Sequence, residues 1–182
     1  PEVISLCTPD DTHFAILERI LKSDNSVKII FAEKPICRTS KELKLLLQKV
    51  KESSIPIIVN HTRRFDSAHQ RIARLIHSRE LGEWLRVSVD YYGGWNHMGV
   101  HVVDILQYFS QMKFHAENIN YCCESNYSDD PTLNIKGRLG DSIDLEMKGL
   151  DENFYQILDM NLMFENGQIK INDFGQEINV YR

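Results

Sequence analysis

Lys34 is the first residue whose position points to chemistry. It follows the apolar run of residues 27–32 and stands between Glu33 and Pro35. If that run is a strand of a parallel sheet, Lys34 lies in the crevice beyond the carboxyl end of the strand, where such sheets bind ligands. Desolvation there disfavours the charged amine, so the lysine could donate or accept a proton near neutral pH. An exposed lysine at a strand end is the alternative.

A second group of reactive side chains follows the glycine pair at residues 93–94. His97 and His101 are four residues apart, so they share one face of a helix. Asp104 comes three residues later, where a carboxylate could orient the His101 imidazole and select its tautomer. A helix N-terminus with a polar edge is the plainer interpretation.

The two histidines could also form a zinc site, since histidines at i and i+4 are a known zinc pair. The glutamate that zinc-dependent HExxH enzymes carry between them is absent here. We therefore expect no metal.

Strands and helices that could position these residues alternate in the first third of the chain. Apolar runs predict three buried strands, at residues 3–7, 27–32 and 55–59. Amphipathic helices separate them, one capped by Asp11 or Thr12 and one over residues 40–52 capped by Thr39 or Ser40. This alternation is typical of a parallel α/β sheet with helices on both faces.

The pattern changes after residues 60–67. We predict a helix at residues 68–81 that Gly82 ends, and a second helix at residues 97–109. Between them, residues 84–92 alternate as a strand whose inner face carries Leu85, Val87, Val89 and Tyr91. Further strands, mainly antiparallel, are predicted at residues 118–123, 133–138, 142–148, 156–164 and 168–171. The Asn166-Gly167 pair predicts a hairpin turn with positive φ.

Composition excludes several classes of protein. The 182 residues carry a net charge of −5 and no basic stripe, which argues against a nucleic-acid binder. No apolar run approaches the roughly 20 residues that span a bilayer, and the first residues lack the basic and apolar segments of a signal peptide, so we expect none. The four cysteines fit neither a disulfide framework nor a CxxC site, which favours reduced thiols in the cytoplasm.

Five short motifs, taken together, resemble the Gfo/Idh/MocA family of glucose–fructose oxidoreductase and inositol dehydrogenase relatives. They are TPDDTH at residues 8–13, EKPI at 33–36, NHTRRFD at 60–66, ELGE at 80–83 and GGWNHMGVHVVD at 93–104. Each motif is weak alone, and their shared order and spacing make the match specific.

The resemblance implies a fold of two parts and an activity. Residues 1–64 would be the C-terminal half of an NAD(P)-binding Rossmann domain. Residues 65–182 would be an α+β substrate domain with an open, mainly antiparallel sheet, incomplete at its C-terminus. The activity would be hydride transfer between NAD or NADP and a hydroxyl carbon of a sugar, cyclitol or nucleotide sugar. The alternative is a truncated or degenerate member that binds sugar or oligomerises without catalysis.

The resemblance also assigns site residues. Catalytic roles are implied for Lys34, His101, His97 and Asp104, with Lys34 and His101 flanking the reacting oxygen. Cofactor contacts are implied for Thr8, Pro9, His13, Glu33, Lys34 and Pro35. Substrate contacts are implied for Arg64, Asn96 and His97. The expected partners are a sugar-like small molecule and further copies of the chain, as a dimer or tetramer through the antiparallel sheet, with no nucleic acid and no membrane.

Two features depart from the family pattern. Many members carry aspartate where this chain has His97, so the proton relay differs or Asp104 compensates. No GxGxxG motif follows a strand. We therefore expect the first half of the Rossmann domain to precede Pro1, and these residues alone to bind NAD(H) weakly and to be inactive.

Overall fold

Three short apolar strands form a parallel sheet near the start of the chain. The computed structural model describes residues 1–23 and 26–182, and the chain divides into two units, Pro1–Thr62 and Arg63–Arg182. In the first unit the strands β1 (Val3–Leu6), β2 (Ile29–Ala32) and β3 (Ile57–Val59) lie in the order β1-β2-β3. All three predicted strands are confirmed, each beginning or ending one or two residues inside the predicted range.

Helices α1 (Asp10–Lys22) and α2 (Ser40–Ser53) connect these strands. The N-cap of α2 is Thr39, as predicted. Its hydroxyl accepts from the Glu42 amide at 3.2 Å, and the Glu42 carboxylate accepts from the Thr39 amide at 3.1 Å. The predicted caps of α1 were wrong. Its N-cap is Pro9, and Thr12 lies inside the first turn, where its hydroxyl donates to the Pro9 carbonyl at 2.6 Å.

Both helices lie on one face of this sheet, which corrects the expectation of helices on both faces. Right-handed crossovers that always step in the same direction, from β1 to β2 to β3, place their helices on the same side. An ion pair of 3.3 Å joins Lys49 of α2 to Glu18 of α1. Their core buries Leu6, Leu17, Leu21, Val27, Ile30, Ala32 and Leu46. On the other face, Val3 is 61 % and Ile58 39 % exposed.

The second unit is built on a seven-stranded sheet with two helices. The helices are α3 (Ser67–His77) and α4 (Val100–Ser110), and a five-residue π-helical turn (Trp95–Gly99) precedes α4. The strands are β4 (Trp84–Tyr91), β5 (Phe114–Cys123), β6 (Thr132–Leu139), β7 (Ile143–Gly149), β8 (Asp159–Phe164), β9 (Gly167–Asn172) and β10 (Glu177–Tyr181).

The strand order is β10-β9-β8-β4-β7-β6-β5. All neighbours pair antiparallel except β4 and β7, which are parallel. One face packs against α3 and α4 through a core that includes Val87, Tyr91, Ile105, Phe109 and Leu162. Side chains of opposite charge line the other face, where the Arg86 guanidinium lies 2.9 Å and the Lys136 amine 3.4 Å from the Glu146 carboxylate.

Four local predictions in this unit were wrong. Helix α3 ends at His77 rather than Leu81, because Arg79 turns the chain through a positive φ of 58° before Gly82. Leu85 is 49 % exposed and Trp84 takes the inner position, since a bulge shifts the register of β4 against β8 between Trp84 and Arg86.

The predicted helix at residues 97–109 instead begins with the π-helical turn, in which the amide of Gly99 donates to the Gly94 carbonyl at 3.1 Å. The hairpin of β8 and β9 is present, but neither Asn166 nor Gly167 has positive φ. Its loop is held from outside, since the Asn166 amide donates to the Leu81 carbonyl at 2.9 Å. The edge strand β10 was not predicted.

Candidate active site

The carboxyl ends of the three parallel strands are aligned. Leu6 at the end of β1 is opposite Ala32 at the end of β2, which is opposite Val59 at the end of β3. The next residue of each strand continues the alignment, since the Glu33 amide donates to the Leu6 carbonyl at 2.9 Å and the Asn60 amide to the Ala32 carbonyl at 2.7 Å. The residues that follow β1, β2 and β3 therefore share one edge, where sheets of this type bind ligands.

The turn after β2 is tied to the turn after β3 by a side-chain hydrogen bond. The Asn60 amide group donates to the Glu33 carboxylate at 2.6 Å. Lys34 comes next, is half-buried, and is joined to Pro35 by a cis peptide bond. The Lys34 backbone is thus held between a bonded carboxylate and a proline ring, on the aligned edge of the sheet.

His13 joins the turns after β1 and β2 from inside the protein. Its side chain is buried, with Nδ1 2.8 Å from the Pro35 carbonyl oxygen and Nε2 2.8 Å from the Thr8 carbonyl oxygen. Both partners can only accept, so each bond needs a proton on the ring nitrogen that faces it. The polar atoms of His13 are therefore used within the fold, whereas Thr8 and Pro9 are exposed on the edge.

In the second unit, one side of α4 carries the other predicted residues. Val102, Ile105, Leu106 and Phe109 are buried against the sheet. His101, Asp104 and Tyr108 follow one another at helical spacing on the opposite side and are half-buried. This side of α4 can present an imidazole, a carboxylate and a phenol together.

Arg64 meets this side of α4. Its guanidinium donates twice to the Asp104 carboxylate, from Nε at 2.8 Å and from Nη2 at 2.7 Å, and lies 5.6 Å from the centroid of the Tyr108 ring. The hydrogen bonds to Asp104 raise the pKa of Arg64. The structure therefore joins a predicted substrate contact to a predicted catalytic carboxylate, through the bidentate geometry that suits arginine.

His97 has a partner that the sequence did not reveal. Its Nδ1 lies 2.8 Å from the carboxylate of Asp130, which is 2 % exposed, and its ring stacks on Tyr127 with centroids 3.5 Å apart. Asn96 is exposed, and its backbone amide donates to the same carboxylate at 2.7 Å. One signal was available: the helix starts after two glycines, so no side chain before it can cap its free amides.

The side chains and helices of the described residues bear on metal binding and on membrane insertion. Within residues 1–23 and 26–182, no group of three or more His, Cys, Asp or Glu side chains is placed to hold a metal ion. None of the helices in the same part of the chain is long and apolar enough to cross a membrane.

The first unit matches a known family. Residues 1–61 match the family described as "Oxidoreductase family, NAD-binding Rossmann fold" (GFO_IDH_MocA). The chain is 30 % identical over 88 residues to the inositol 2-dehydrogenase of Rhizobium meliloti (strain 1021). It is 34 % identical over 82 residues to the scyllo-inositol 2-dehydrogenase (NAD(+)) of Bacillus subtilis (strain 168). These alignments cover 48 % and 45 % of this chain but 26 % and 23 % of the relatives, so the chain matches about a quarter of their length.

Solved structures extend the likeness of fold to both units. The WlbA dehydrogenase from Bordetella pertussis in complex with NADH and UDP-GlcNAcA superposes with a TM-score of 0.85 at 13 % identity, over 100 % of this chain and 63 % of that one. The aldose-aldose oxidoreductase from Caulobacter crescentus complexed with glycerol gives 0.83 at 14 % identity, over 98 % and 59 %. They confirm the predicted fold class, a Rossmann-type parallel sheet followed by an open, mainly antiparallel sheet. Residues 1–61 of the chain thus match the Gfo/Idh/MocA oxidoreductase family and its NAD-binding Rossmann fold, and both units share the fold of the solved structures.

Proposed function

We propose that the protein catalyses hydride transfer between NAD(P) and a hydroxyl-bearing carbon of a sugar, cyclitol or nucleotide sugar. The observation that carries the proposal is the aligned carboxyl edge of the three-stranded sheet. Lys34 lies on this edge, in the turn that the hydrogen bond from Asn60 to Glu33 fastens. The carboxyl ends of the strands are where open α/β sheets bind ligands. The relatives named as inositol dehydrogenases support a polyhydroxylated substrate.

The cofactor lies along this edge in the proposal. Thr8 and Pro9 are exposed there, and the turn at residues 33–35 forms the neighbouring part of the edge. When bound, the nicotinamide supplies the hydride acceptor or donor. The protein's own residues bind and orient the ligands and move the proton that accompanies the hydride.

Lys34 is the proton donor or acceptor for the reacting oxygen in this proposal. An amine that is half-buried at a ligand-binding edge loses part of its hydration, which favours proton transfer near neutral pH. In the second unit, His101 on the half-buried side of α4 is proposed to hydrogen-bond a hydroxyl of the substrate. Asp104 and Arg64 support that side of the helix through their bidentate pair.

Compartment and assembly are further parts of the proposal. The four cysteines are all free, which fits a reducing cytoplasm. The charged face of the seven-stranded sheet carries both signs of charge, with Glu146 bonded to Arg86 and Lys136. Such a face can pair with its own copy across a twofold axis, so we propose that the chain forms a homo-oligomer through it.

Replacing Lys34 by alanine tests the activity. The variant is made in the protein expressed from the complete reading frame that contains these residues, and NAD(P)H formation is followed with inositols and aldoses. We expect kcat to fall by about 10²-fold to 10⁴-fold, because one proton-transfer group is lost. The dissociation constant for NAD(H), measured by fluorescence titration, should stay nearly unchanged.

The matched control is Lys44→Ala, which removes an exposed lysine from α2 and should leave kcat unchanged. Near-normal turnover of Lys34→Ala would overturn the assignment of Lys34. Sugar binding without any turnover by the unaltered protein would instead favour a non-catalytic sugar-binding member of the family.

A further inference from the structure

The loop between β5 and β6 closes on the π-helical turn. This loop, residues 124–131, holds itself together through Ser125, whose hydroxyl donates to the Asp130 carbonyl at 2.7 Å. It is also fastened by Glu152, whose carboxylate accepts from the Asn126 amide. Asp130 and Tyr127 are therefore presented from a bonded loop, although Tyr127 itself is 45 % exposed.

The backbone amides at the start of the π-helical turn all donate to the far end of this loop and the start of β6. The Gly94 amide donates to the Thr132 hydroxyl at 3.1 Å, and the Trp95 amide to the Pro131 carbonyl at 3.0 Å. The amides of Asn96 and His97 donate to the two oxygens of the Asp130 carboxylate, at 2.7 and 3.0 Å. Asp130 thus satisfies amides that no side chain before the helix can cap.

Gly94 permits this approach. Its φ is +82°, and a Cβ at this position would lie 2.2 Å from a carboxylate oxygen of Asp130. Any other residue here would push the carboxylate away from both amides and from the His97 ring. The glycine pair at residues 93–94 therefore leaves room for the Asp130 carboxylate, which comes from a loop far away in the chain.

The same carboxylate also contacts the His97 imidazole. The distance from Nδ1 to Oδ2 is 2.8 Å, and Asp130 is 2 % exposed. The Tyr127 ring lies on the imidazole at 3.5 Å with an interplanar angle of 9°, which fixes the plane of the ring. The orientation and the ring plane of His97 are thus both set by residues of one loop.

We propose that Asp130 is a positioning residue that acts through His97, by selecting the tautomer in which the His97 ring meets the substrate. The inference rests on the proposed dehydrogenase function. An ionised carboxylate only accepts hydrogen bonds, so Nδ1 keeps its proton and Nε2 becomes the acceptor of the neutral ring. His97 then accepts a hydrogen bond from a substrate hydroxyl through Nε2 and orients that hydroxyl. A carboxylate that selects the histidine tautomer in this way is known from serine proteases.

The tautomer can be measured without any turnover. Histidine ¹⁵N labelling of the full protein, with NMR assignment of His97 at neutral pH and above, distinguishes Nδ1–H from Nε2–H. We expect the Nδ1–H form, although free imidazoles of this type favour Nε2–H. Asp130→Ala should return His97 to the Nε2–H form, and the control Asp129→Asn, an exposed neighbour whose positive φ of 60° asparagine tolerates, should not. An Nε2–H ring in the unaltered protein overturns the inference even if Asp130→Ala fails to fold.

Kinetics separate a role through His97 from a purely structural one. Asp130→Ala and His97→Ala should each lower kcat/KM for the sugar by about tenfold or more. The double variant should be no slower than His97→Ala alone, because Asp130 has nothing left to position. A further loss in the double variant, equal to that of Asp130→Ala alone, would mean that Asp130 only holds the loop.

The two readouts distinguish the inference from the function on which it rests. Dehydrogenase activity with an Nε2–H ring overturns the inference and leaves the function standing. An Nδ1–H ring in a protein without dehydrogenase activity overturns the proposed function and the inference with it.

Discussion

The surroundings of Cys123 change the pKa of its thiol. Burial raises the pKa of Cys123 from the ordinary 9.0 to about 11, and a hydrogen bond with the adjacent Cys122 acts in the same direction. The thiolate is the reactive form, so it appears only as the pH rises toward 11. Cys7, by contrast, is exposed.

We therefore expect Cys123 to resist alkylation at pH 8. A shift of two pKa units leaves about a hundredth of the thiolate that an ordinary thiol has, so its modification should be slower by up to about 100-fold. Timed treatment with iodoacetamide followed by peptide mass spectrometry measures this, with Cys7 as the internal control. Equal rates for the two cysteines would show that the Cys123 thiol is not shielded.

Single residues also mark where the sequence was informative about the site. Lys34, Glu33 and Pro35 could be identified because they directly follow an apolar strand, and a strand end has a known place in a parallel sheet. Asp130 could not be identified, because its partners lie 33 and 34 residues away in the chain. A pairing of that separation depends on strand order, which local patterns do not encode.

Helix α1 and the turns on either side of it illustrate how elements are joined. His13 lies in α1 and bonds two backbone carbonyl groups, those of Thr8 and Pro35. The turn with Lys34 is thereby connected to the turn after β1 by one buried ring. The ring serves this connection whether or not it also contributes to a cofactor site.

Replacing His13 by phenylalanine should loosen this connection. The variant keeps an aromatic ring but removes the hydrogen bonds to the Thr8 and Pro35 carbonyls, each of which contributes about 0.5–1.5 kcal/mol. Urea unfolding followed by circular dichroism measures the change in the free energy of unfolding. His13→Gln, which retains a donor group, should lose less, and an unchanged midpoint for His13→Phe would contradict the role.

The elements themselves were predictable to different degrees. Helix α2 was placed almost to the residue because Thr39 and Glu42 form a capping box that is written locally in the sequence. The start of α4 was misjudged, because the π-helical turn depends on a carboxylate from another loop. Edge strand β10 was missed; it pairs only with β9, and four of its five residues are exposed.

At the scale of the whole chain, the charged face of the seven-stranded sheet is the feature that bears on assembly. Arg86, Lys136 and Glu146 pair there on adjacent strands, and Arg138 lies 3.9 Å from Asp144. Exposed pairs such as these contribute little to the stability of one chain. If a second copy covers them, their arrangement affects which surfaces can associate, because charges of both signs then have to match across the interface.

Arg86→Glu tests this assembly. The substitution sets a second carboxylate against Glu146, a change that an exposed surface tolerates with about 0.5 kcal/mol or less but a matched interface does not. We expect the molar mass measured by light scattering to fall to that of the monomer. Arg79→Glu, at an exposed turn, is the control and should leave the mass unchanged. Loss of assembly in both variants, or in neither, would place the interface elsewhere.

Local patterns in the sequence were enough to predict two parts of different sheet type, the strand ends of the first part and the family they resemble, because each depends on neighbouring residues alone. Three-dimensional packing decided the rest: both helices of the first unit lie on one face, β4 pairs in parallel with β7, and His97 rests on Asp130 and Tyr127. These features bring together residues that are far apart in the chain. The energy of a buried carboxylate or a stacked ring depends on what surrounds it after folding, so no local motif announces it.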